Sequence, residues 1–295
     1  MDIKALRYFI EVARQKNFTR AAEVLHVTQP TLSKMIRQLE QELHSDLLVR
    51  GKKGVWPTDI GQILYLHGCQ ILGQIRAAKD EIAEVKGLTR GELKVGLAPM
   101  MSAALFPIVL RTFRERYPQI AISAVESGSK RMAQSILDGE VEIGMLVDPV
   151  DPAVFDARRI YVGEIGLMVP VGSPWTRRGP VAAAELAGEN FLMPTDDFVL
   201  PDMIRAYCRQ AGFAPKEAGH SGQWEILQAM VENGMGVALL PLAVCRLLDP
   251  AKVWPVRLSD PPLISVSLAW RRGGHPSFAA RAWTEVSAEL LAVAG

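Results

Sequence analysis

Residues 18–43, FTRAAEVLHVTQPTLSKMIRQLEQEL, decide the fold of the N-terminal part of the chain. The stretch contains two segments in which apolar residues recur at helical spacing, separated by a short break at His26 and Val27. The first segment is predicted to be a helix capped by Thr19, with a buried face of Ala21, Ala22, Val24 and Leu25. The second is predicted to start at the cap Thr28, with Pro30 in its first turn, and to bury Leu32, Met35, Ile36, Leu39 and Leu43. Two helices joined by so short a turn indicate a helix-turn-helix.

The other face of the second helix is chemically different from its apolar face. It offers amide, hydroxyl and cationic groups, which are the groups that meet base edges and phosphates, at Gln29, Thr31, Ser33, Lys34, Arg37 and Gln38. Residues 3–14 supply one more apolar stripe and complete a trio of helices. The pattern alone also allows an ordinary three-helix subdomain with a solvated face.

A basic hairpin is predicted directly after these helices. Residues 47–58, LLVRGKKGVWPT, form two short strand patterns around a turn rich in glycine and lysine. Arg50, Lys52 and Lys53 would lie near the tip of this wing, where they can reach a phosphate or a minor groove. A solvated turn is the alternative interpretation.

Charge is distributed unevenly along the chain. The 295 residues carry a formal net charge of only +1, which argues against a uniformly basic surface that coats nucleic acid. Residues 1–58 hold ten Lys or Arg and six Asp or Glu, so they carry +4 and the remaining residues carry −3. A mildly basic module on an acidic remainder suits binding of nucleic acid through one end. The length and the 49% hydrophobic content predict two domains.

Several classes of function find no support in the sequence. Cys69, Cys208 and Cys245 form no metal-ligand pattern, and the five histidines are scattered, so no metal site is predicted. Residues 219–223, GHSGQ, place their second glycine too early for a nucleophile elbow and follow no clear strand. Residues 234–236 lack the third glycine of a dinucleotide loop. The chain is therefore predicted to be no enzyme, to need no cofactor, and, lacking a signal or membrane segment, to be cytoplasmic.

Residues 59–88 predict one long helix, because no proline interrupts them. Apolar or small residues recur along it in steps of three and four, at Ile60, Leu64, His67, Ile71, Ile75, Ala78, Ile82 and Val85. Such a seam would be exposed to water on an isolated helix, so we interpret it as a dimerisation helix. Packing against the helix's own chain is the alternative.

After Gly91 the pattern changes to alternating strands and helices, typical of an α/β domain. Strands are predicted at residues 92–97, 120–126, 141–147, 159–162, 166–170, 236–240, 256–258 and 263–269. Helices are predicted at residues 103–116, 130–138, 201–211, 223–232 and 276–291.

The motif AAxxLHVTQPTLSKxIRQLExEL, the following LLVR and the long helix resemble the LysR-type transcriptional regulators. The phrases GELKVGL and GMGVALLP extend the resemblance to the C-terminal part. The resemblance implies that Gln29, Pro30, Thr31, Ser33 and Lys34 lie at the major groove and that Arg50 and Lys53 lie on the wing.

The resemblance also implies the architecture, an α+β multi-domain chain with an N-terminal winged helix-turn-helix, a long linker helix and a C-terminal α/β effector domain. The effector domain would consist of two Rossmann-like lobes, as in periplasmic binding proteins. The boundaries are then 1–58 for DNA binding, 59–88 for the linker and 89–295 for the effector domain. Lobe I spans 89–161 and 268–295, lobe II spans 162–267, and the chain crosses near Tyr161-Val162 and Ser267-Leu268.

Ligands of open α/β lobes lie beyond the carboxyl ends of strands. The residues predicted there, facing each other across the cleft, are Met100, Met101 and Ser102, then Ser127, Gly128 and Ser129 in lobe I, and Thr195, Asp196, Phe198, His220 and Ser221 in lobe II. Ser102, Ser129 and Ser221 are more typical of N-caps than of ligand contacts, and the methionines and Phe198 are also typical of core. Family members often bind organic acids. Asp196 and Asp197 would repel an anion unless they point away or hold their own helix end, so a small, partly apolar metabolite is favoured.

Taken together, these features predict a sequence-specific DNA-binding transcriptional regulator. Its partners would be double-stranded DNA with an interrupted palindrome, a small-molecule effector, and copies of itself as a homodimer that assembles into a homotetramer. The alternative is a cytosolic solute-binding or enzymatic α/β protein whose N-terminal helices serve only assembly. Thiol sensing, used by the peroxide-sensing branch of the family, is disfavoured because Cys208 has no second cysteine within ten residues.

Overall fold

The structure is a computed structural model that describes residues 1–51, 54–85 and 91–291. The chain divides into two units, Met1–Lys86 with Leu137–Glu140, and Gly87–Ile136 with Val141–Gly295. The domain and lobe boundaries given above stay predictions.

Three helices open the first unit, and each starts at a side chain that accepts amide hydrogen bonds. They are α1 (Ile3–Gln15), α2 (Phe18–Val24) and α3 (Gln29–Glu42). Thr28 caps α3 by accepting from the Thr31 amide, as predicted. The cap of α2 is Asn17 and not Thr19, because the Asn17 side chain accepts from the amides of Thr19 and Arg20. Thr19 already lies inside the helix.

The apolar stripes predicted for α2 and α3 form the core between them. Ala21, Ala22, Leu32, Ile36 and Leu39 are buried. Val24 is 50% exposed and Leu43 is 38% exposed, so the prediction that these two are buried is wrong. Both lie at the C-terminal ends of their helices, and helical spacing does not tell how far along a helix the neighbouring core extends.

The predicted wing is an antiparallel hairpin of β1 (Leu48–Gly51) and β2 (Gly54–Pro57). Val49 pairs with Trp56, and Arg50 pairs with Val55. Lys52 and Lys53, which were predicted at its tip, lie outside the described residues.

The long helix α4 (Asp59–Val85) packs on α1 with a face that the predicted seam did not include. Tyr65 and Cys69 are buried, and a Cβ at Gly68 would lie 2.7 Å from Leu6 and 2.9 Å from Ile10. This face of α4 therefore packs against its own chain, which was the alternative to dimerisation. In the seam itself Leu64, Ile71 and Ile75 are half-buried, and Ile60, His67, Ala78 and Ile82 are exposed; the side chain of Val85 is outside the description. Ile63, which the seam omitted, is exposed too.

The second unit is an α/β structure, as predicted. Its first elements are β3 (Gly91–Leu97), α5 (Pro99–Arg116), β4 (Ile120–Glu126), α6 (Ser129–Leu137) and β5 (Ile143–Val147). β3 pairs in parallel with both β4 and β5. The helix predicted to begin at residue 103 begins one turn earlier, because Pro99 starts it without losing an internal hydrogen bond.

Two long strands connect the halves of this unit. β6 (Phe155–Pro170) is one strand of 16 residues, where two separate strands were predicted. Its N-terminal part pairs with β11 (Leu263–Arg271), and its C-terminal part pairs with β9 (Ala238–Pro241) and β10 (Val253–Val256). β11 also pairs with β5. The strands that cross between lobes are therefore present, and we call the half built on β3–β5 lobe I and the half built on β9 and β10 lobe II.

The other elements of lobe II are β7 (Asn190–Pro194), α7 (Leu200–Gln210), β8 (Lys216–Ser221), α8 (Trp224–Glu232) and the short α9 (Leu242–Cys245), and α10 (Phe278–Leu291) returns to lobe I. β7 and β8 form a parallel pair, and neither strand was predicted from the sequence. The segment KEAGHS of β8 is mostly exposed, so it carries no apolar alternation. Within the described residues, no helix combines the length and hydrophobicity that a bilayer crossing requires.

Candidate nucleic-acid interface and inter-lobe cleft

The N-terminal half of α3 presents a polar surface. Pro30, Thr31, Lys34 and Arg37 are exposed and Gln29 is half-buried, as is expected of a helix face that meets a ligand. The hydroxyls of Thr28 and Thr31 lie 2.8 Å apart and share a hydrogen bond, which fixes the first turn. Gln38 is also exposed, one turn after Lys34.

Ser33 does not lie on this exposed face. Its side chain is buried, with 7% exposed, because it lies under the wing. Its Oγ accepts a hydrogen bond of 3.3 Å from Arg50 Nη2. The prediction of an exposed Ser33 is wrong, since the period of a helix cannot show that a hairpin covers one flank.

The wing contacts the helices with one face of its hairpin. The Arg50 guanidinium stacks 4.6 Å from the centre of the Phe18 ring, and Val55, its cross-strand partner, is buried. The other face carries Val49 and Trp56, which are exposed. Arg50 as a whole is exposed, although its guanidinium contacts both Phe18 and Ser33.

The base of the wing is held by the same helix. Glu40 of α3 accepts hydrogen bonds from the amides of Leu47 (3.0 Å) and Leu48 (3.3 Å) through Oε1. A carboxylate that accepts two amides in this way satisfies donors that would otherwise be unpaired at the start of β1. Glu40 was not among the predicted site residues, because its partners Leu47 and Leu48 lie beyond the end of α3.

In lobe I, the residues predicted to contact an effector belong mainly to the core. Met100, Met101 and Ser102 are buried at the start of α5. The Ser102 hydroxyl donates to the Pro99 carbonyl at 3.0 Å. The core interpretation therefore holds for Met100 and Met101, whereas Ser102 is not an N-cap, because it lies inside α5 and the N-cap position is Ala98.

The loop before α6 is different. The Ser127 hydroxyl is buried and has no hydrogen-bond partner within the described part of the chain. Ser129 is buried, and Gly128 is so close to lobe II that a Cβ on it would lie 2.5 Å from the Asp197 carbonyl oxygen. A buried hydroxyl without a partner is costly, so this position is one where a ligand atom would be stabilising.

In lobe II, the carboxylates that were expected to oppose an anionic ligand are engaged within the protein. Asp196 pairs with Arg205 at 2.9 Å, and Asp197 accepts a hydrogen bond from the Thr195 hydroxyl. Phe198 is buried. Each carboxylate therefore has a partner within lobe II, but the Asp197 carboxylate still lies toward lobe I, since a Cβ on Gly128 would be 2.6 Å from its Oδ2.

His220 and Ser221 are engaged as well. His220 Nε2 lies 2.8 Å from Glu217, and Ser221 Oγ accepts from the Gln223 amide at 3.1 Å. Residues 219–221 form the end of β8, where no clear strand was predicted, because a segment without apolar alternation still pairs with β7. The buried Ser221 hydroxyl is therefore used within the local turn, where it accepts the hydrogen bond from Gln223.

A charge cluster links α7, β8 and α6. Arg205 forms a bidentate pair with Glu217 at 2.7 and 2.9 Å, and this hydrogen bonding lowers the pKa of Glu217 to about 2. Lys130 pairs with Asp202 at 2.8 Å and lowers the pKa of that carboxyl. Sequence reasoning missed these charged residues, because their partners come from other elements.

Lys130 joins the two lobes directly. Its Nζ donates to the Asp196 carbonyl at 2.9 Å, and its backbone amide donates to the Asp197 carbonyl at 3.3 Å. Together with Gly128, it brings the amino end of α6 against the loop that precedes α7. In this structure the predicted effector residues therefore flank a contact between the lobes.

The three cysteines are free and buried. Burial raises the pKa of the Cys69 and Cys208 thiols to about 11 and that of Cys245 to about 12. High pKa values disfavour the reactive thiolate. No group of three or more His, Cys, Asp or Glu suited to a metal ion occurs in the described ranges 1–51, 54–85 and 91–291.

Two family models match the sequence. The model "Bacterial regulatory helix-turn-helix protein, lysR family" matches residues 3–62. The model "LysR substrate binding domain" matches residues 86–292. The two matches fall on the two units of the structure.

Individual proteins of known sequence or structure resemble the whole chain. The uncharacterized HTH-type transcriptional regulator YwbI of Bacillus subtilis is 37% identical over 99% of this chain and 97% of its own length. The Hca operon transcriptional activator HcaR of Escherichia coli is 30% identical over 92% and 93%. A full-length OxyR variant from Pseudomonas aeruginosa superposes with a TM-score of 0.81 at 24% identity, covering 99% of this chain and 95% of its own. Full-length CbnR complexed with its target DNA gives 0.67 at 22%, covering 98% and 99%.

Proposed function

Because the chain belongs to the LysR family of transcriptional regulators, we propose that it recognises a specific DNA sequence and that a small molecule bound between its lobes controls this activity. The observation that carries the first part is the capped start of α3, whose exposed polar face lies beside a hairpin held on the same helix. Helices with such a face enter the major groove with their N-terminal residues toward the bases.

The reading residues are the exposed ones at the start of α3. Gln29, Thr31 and Lys34 carry an amide, a hydroxyl and an ammonium group, which form hydrogen bonds with base edges, and Pro30 offers an apolar contact. Arg37, one turn later, suits a phosphate, and Lys52 and Lys53 of the wing add cationic contacts with the backbone or a minor groove.

The proposed unit of DNA binding is a homodimer, which assembles further into a homotetramer. Ile60, Ile63 and Ile82 of α4 are exposed, although α4 already packs on α1 with another face. Pairing of two α4 helices would remove these isoleucines from water and place two copies of α3 on the half-sites of an interrupted palindrome.

The effector site is proposed at the inter-lobe contact. The Ser127 hydroxyl, buried and unpartnered within the described residues, lies next to Gly128 and Ser129 at the start of α6. A ligand that accepts or donates a hydrogen bond there would satisfy it, with Thr195 and Phe198 on the opposite lobe. Binding changes activity only if the ligand prefers one arrangement of the lobes.

The DNA assignment is tested by binding to a duplex that the full-length protein selects from a random-sequence pool. We expect the selected duplex to compete against a scrambled one at rising salt concentrations. Lys34→Ala should weaken binding to the selected duplex about tenfold to a hundredfold. Gln41→Ala, at the exposed C-terminal end of α3, is the matched control and should bind normally. Recovery of no sequence preference would refute the proposal.

The effector assignment is tested separately, by a metabolite screen read out by the thermal stability of the protein. A compound that stabilises the wild type and not Ser127→Ala supports the site. Equal stabilisation of both proteins by every active compound would place the effector elsewhere.

A further inference from the structure

Arg50 and Ser33 form a contact that connects the wing to the recognition helix, and we infer that these two residues position the wing on DNA. The inference rests on the DNA binding proposed above. It assigns Arg50 and Ser33 a different task from base or phosphate recognition.

The first observation is that α3 holds the wing at two points on one flank. Glu40 binds the amides of Leu47 and Leu48, where the hairpin begins, and Ser33 binds Arg50 near its tip. Ser33, Ile36 and Glu40 are spaced by three and four residues, so they line one side of the helix. Seven residues of α-helix rise about 10 Å, which is close to the length of the four-residue strand β1.

The second observation concerns the chemistry at the tip end. The guanidinium of Arg50 is planar, and one of its faces lies 4.6 Å from the Phe18 ring centre while Nη2 donates to Ser33. A guanidinium can stack and donate at the same time, whereas an ammonium group cannot reproduce both. Phe18 belongs to α2, so Arg50 connects the wing to both helices of the helix-turn-helix.

The third observation is that Ser33 has no exposed side chain to offer DNA. Its hydroxyl is buried under Arg50, although its neighbours Leu32 and Lys34 are respectively in the core and in solvent. A small hydroxyl at this position lets the wing approach α3 and gives Arg50 an acceptor. The contact thereby fixes the position of strand β1 relative to the reading face of α3.

The test compares Ser33→Ala, Arg50→Ala, the double variant and Arg50→Lys as full-length proteins on the duplex selected by the wild type. Ser33→Ala and Arg50→Ala should each weaken binding about tenfold, and the double variant should be no weaker than Arg50→Ala. Arg50→Lys should not restore binding, although it keeps the charge. Ser45→Ala, just beyond the end of α3, is the matched control and should leave the affinity unchanged.

The salt dependence of binding separates positioning from direct contact. Each phosphate contact contributes about 0.9 to the slope of log affinity against log salt concentration. Ser33→Ala removes no charge, yet it should flatten this slope, because the wing's phosphate contacts are lost together. Thermal melting of each variant reports folding, and Ser33→Ala alone decides the matter if Arg50→Ala does not fold.

The opposite pattern would overturn the inference. In that pattern Ser33→Ala has wild-type affinity and the wild-type slope of log affinity against log salt concentration, and Arg50→Lys binds as well as the wild type. Arg50 would then be an ordinary phosphate contact. If the wild type itself selects no sequence, the proposed sequence recognition fails, which is a different result from unequal variants on a selected duplex.

Discussion

The contact between the lobes at Gly128 should determine how often the cleft opens. A methyl group on Gly128 would lie 2.5 Å from the Asp197 carbonyl oxygen and 2.6 Å from its carboxylate, whereas ordinary contacts begin near 3.4 Å. The lobes therefore have to move apart by almost 1 Å in Gly128→Ala, because a backbone carbonyl cannot rotate away freely. Overpacking of this kind costs about 1–3 kcal/mol.

Hydrogen exchange measures this cost at one amide. The Lys130 amide donates to the Asp197 carbonyl across the same contact, so its exchange rate reports local opening. A loss of about 1.4 kcal/mol of closure free energy corresponds to about tenfold faster exchange. We expect at least that change in Gly128→Ala, measured by mass spectrometry on the peptide that contains Lys130.

Gly222 is the matched control from lobe II. A Cβ there would lie 3.4 Å from the Thr195 hydroxyl and 3.8 Å from Phe198, which are ordinary distances. Gly222→Ala should leave exchange at Lys130 unchanged. Wild-type exchange at Lys130 in Gly128→Ala would show that the lobes do not touch here in solution, and the reasoning would be refuted.

Other predictions concern stability and thiol reactivity. In Gly73→Ala on α4 the new methyl group meets open space, so this variant should stabilise the chain by up to about 1 kcal/mol. In Gly61→Ala the methyl group overlaps the Leu47 carbonyl, so this variant should lower the denaturation midpoint. Equal midpoints for the two variants would contradict this prediction. Glu217 has a lowered pKa in the folded state because of Arg205, so its contribution to stability is complete above about pH 4.5 and is lost as the pH falls toward 2. Glu217→Gln should flatten acid unfolding in that window, and an unchanged acid limb would speak against the pair. All three thiols should resist maleimide at pH 8 until the protein is unfolded, and rapid native labelling would contradict their burial.

The N-terminal fold was predictable because its signals are local. The cap Thr28, the proline that follows it and the apolar stripe of α3 each depend on residues within a few positions. The two strands of the wing were likewise predicted from residues 47–58 alone. The family resemblance rested on this same stretch, and the fold class that it implied is confirmed.

What could not be predicted depends on residues distant in sequence. Ser33 looked exposed because its covering group, Arg50, comes from the wing, and Asp196 looked like an unpaired charge because Arg205 lies on the next helix. β8 was missed since most of its side chains face solvent, where apolar alternation is not required. The residues assigned to DNA and effector binding stay predictions. Some of their side chains are exposed, some form hydrogen bonds within the protein, and the Ser127 hydroxyl has no partner among the described residues.

The path of the chain through the crossing strands also dictates an order of events during synthesis. Val147, at the end of β5, pairs with Val266 of β11, and the chain between them builds lobe II before it returns. A nascent chain therefore leaves the ribosome with lobe I open at the edge of β5, and this edge stays unpaired until β11 emerges. An exposed strand edge attracts other chains. If translation stopped within lobe II, the released fragment would keep this exposed edge. Such a fragment would be prone to aggregate, in addition to lacking function.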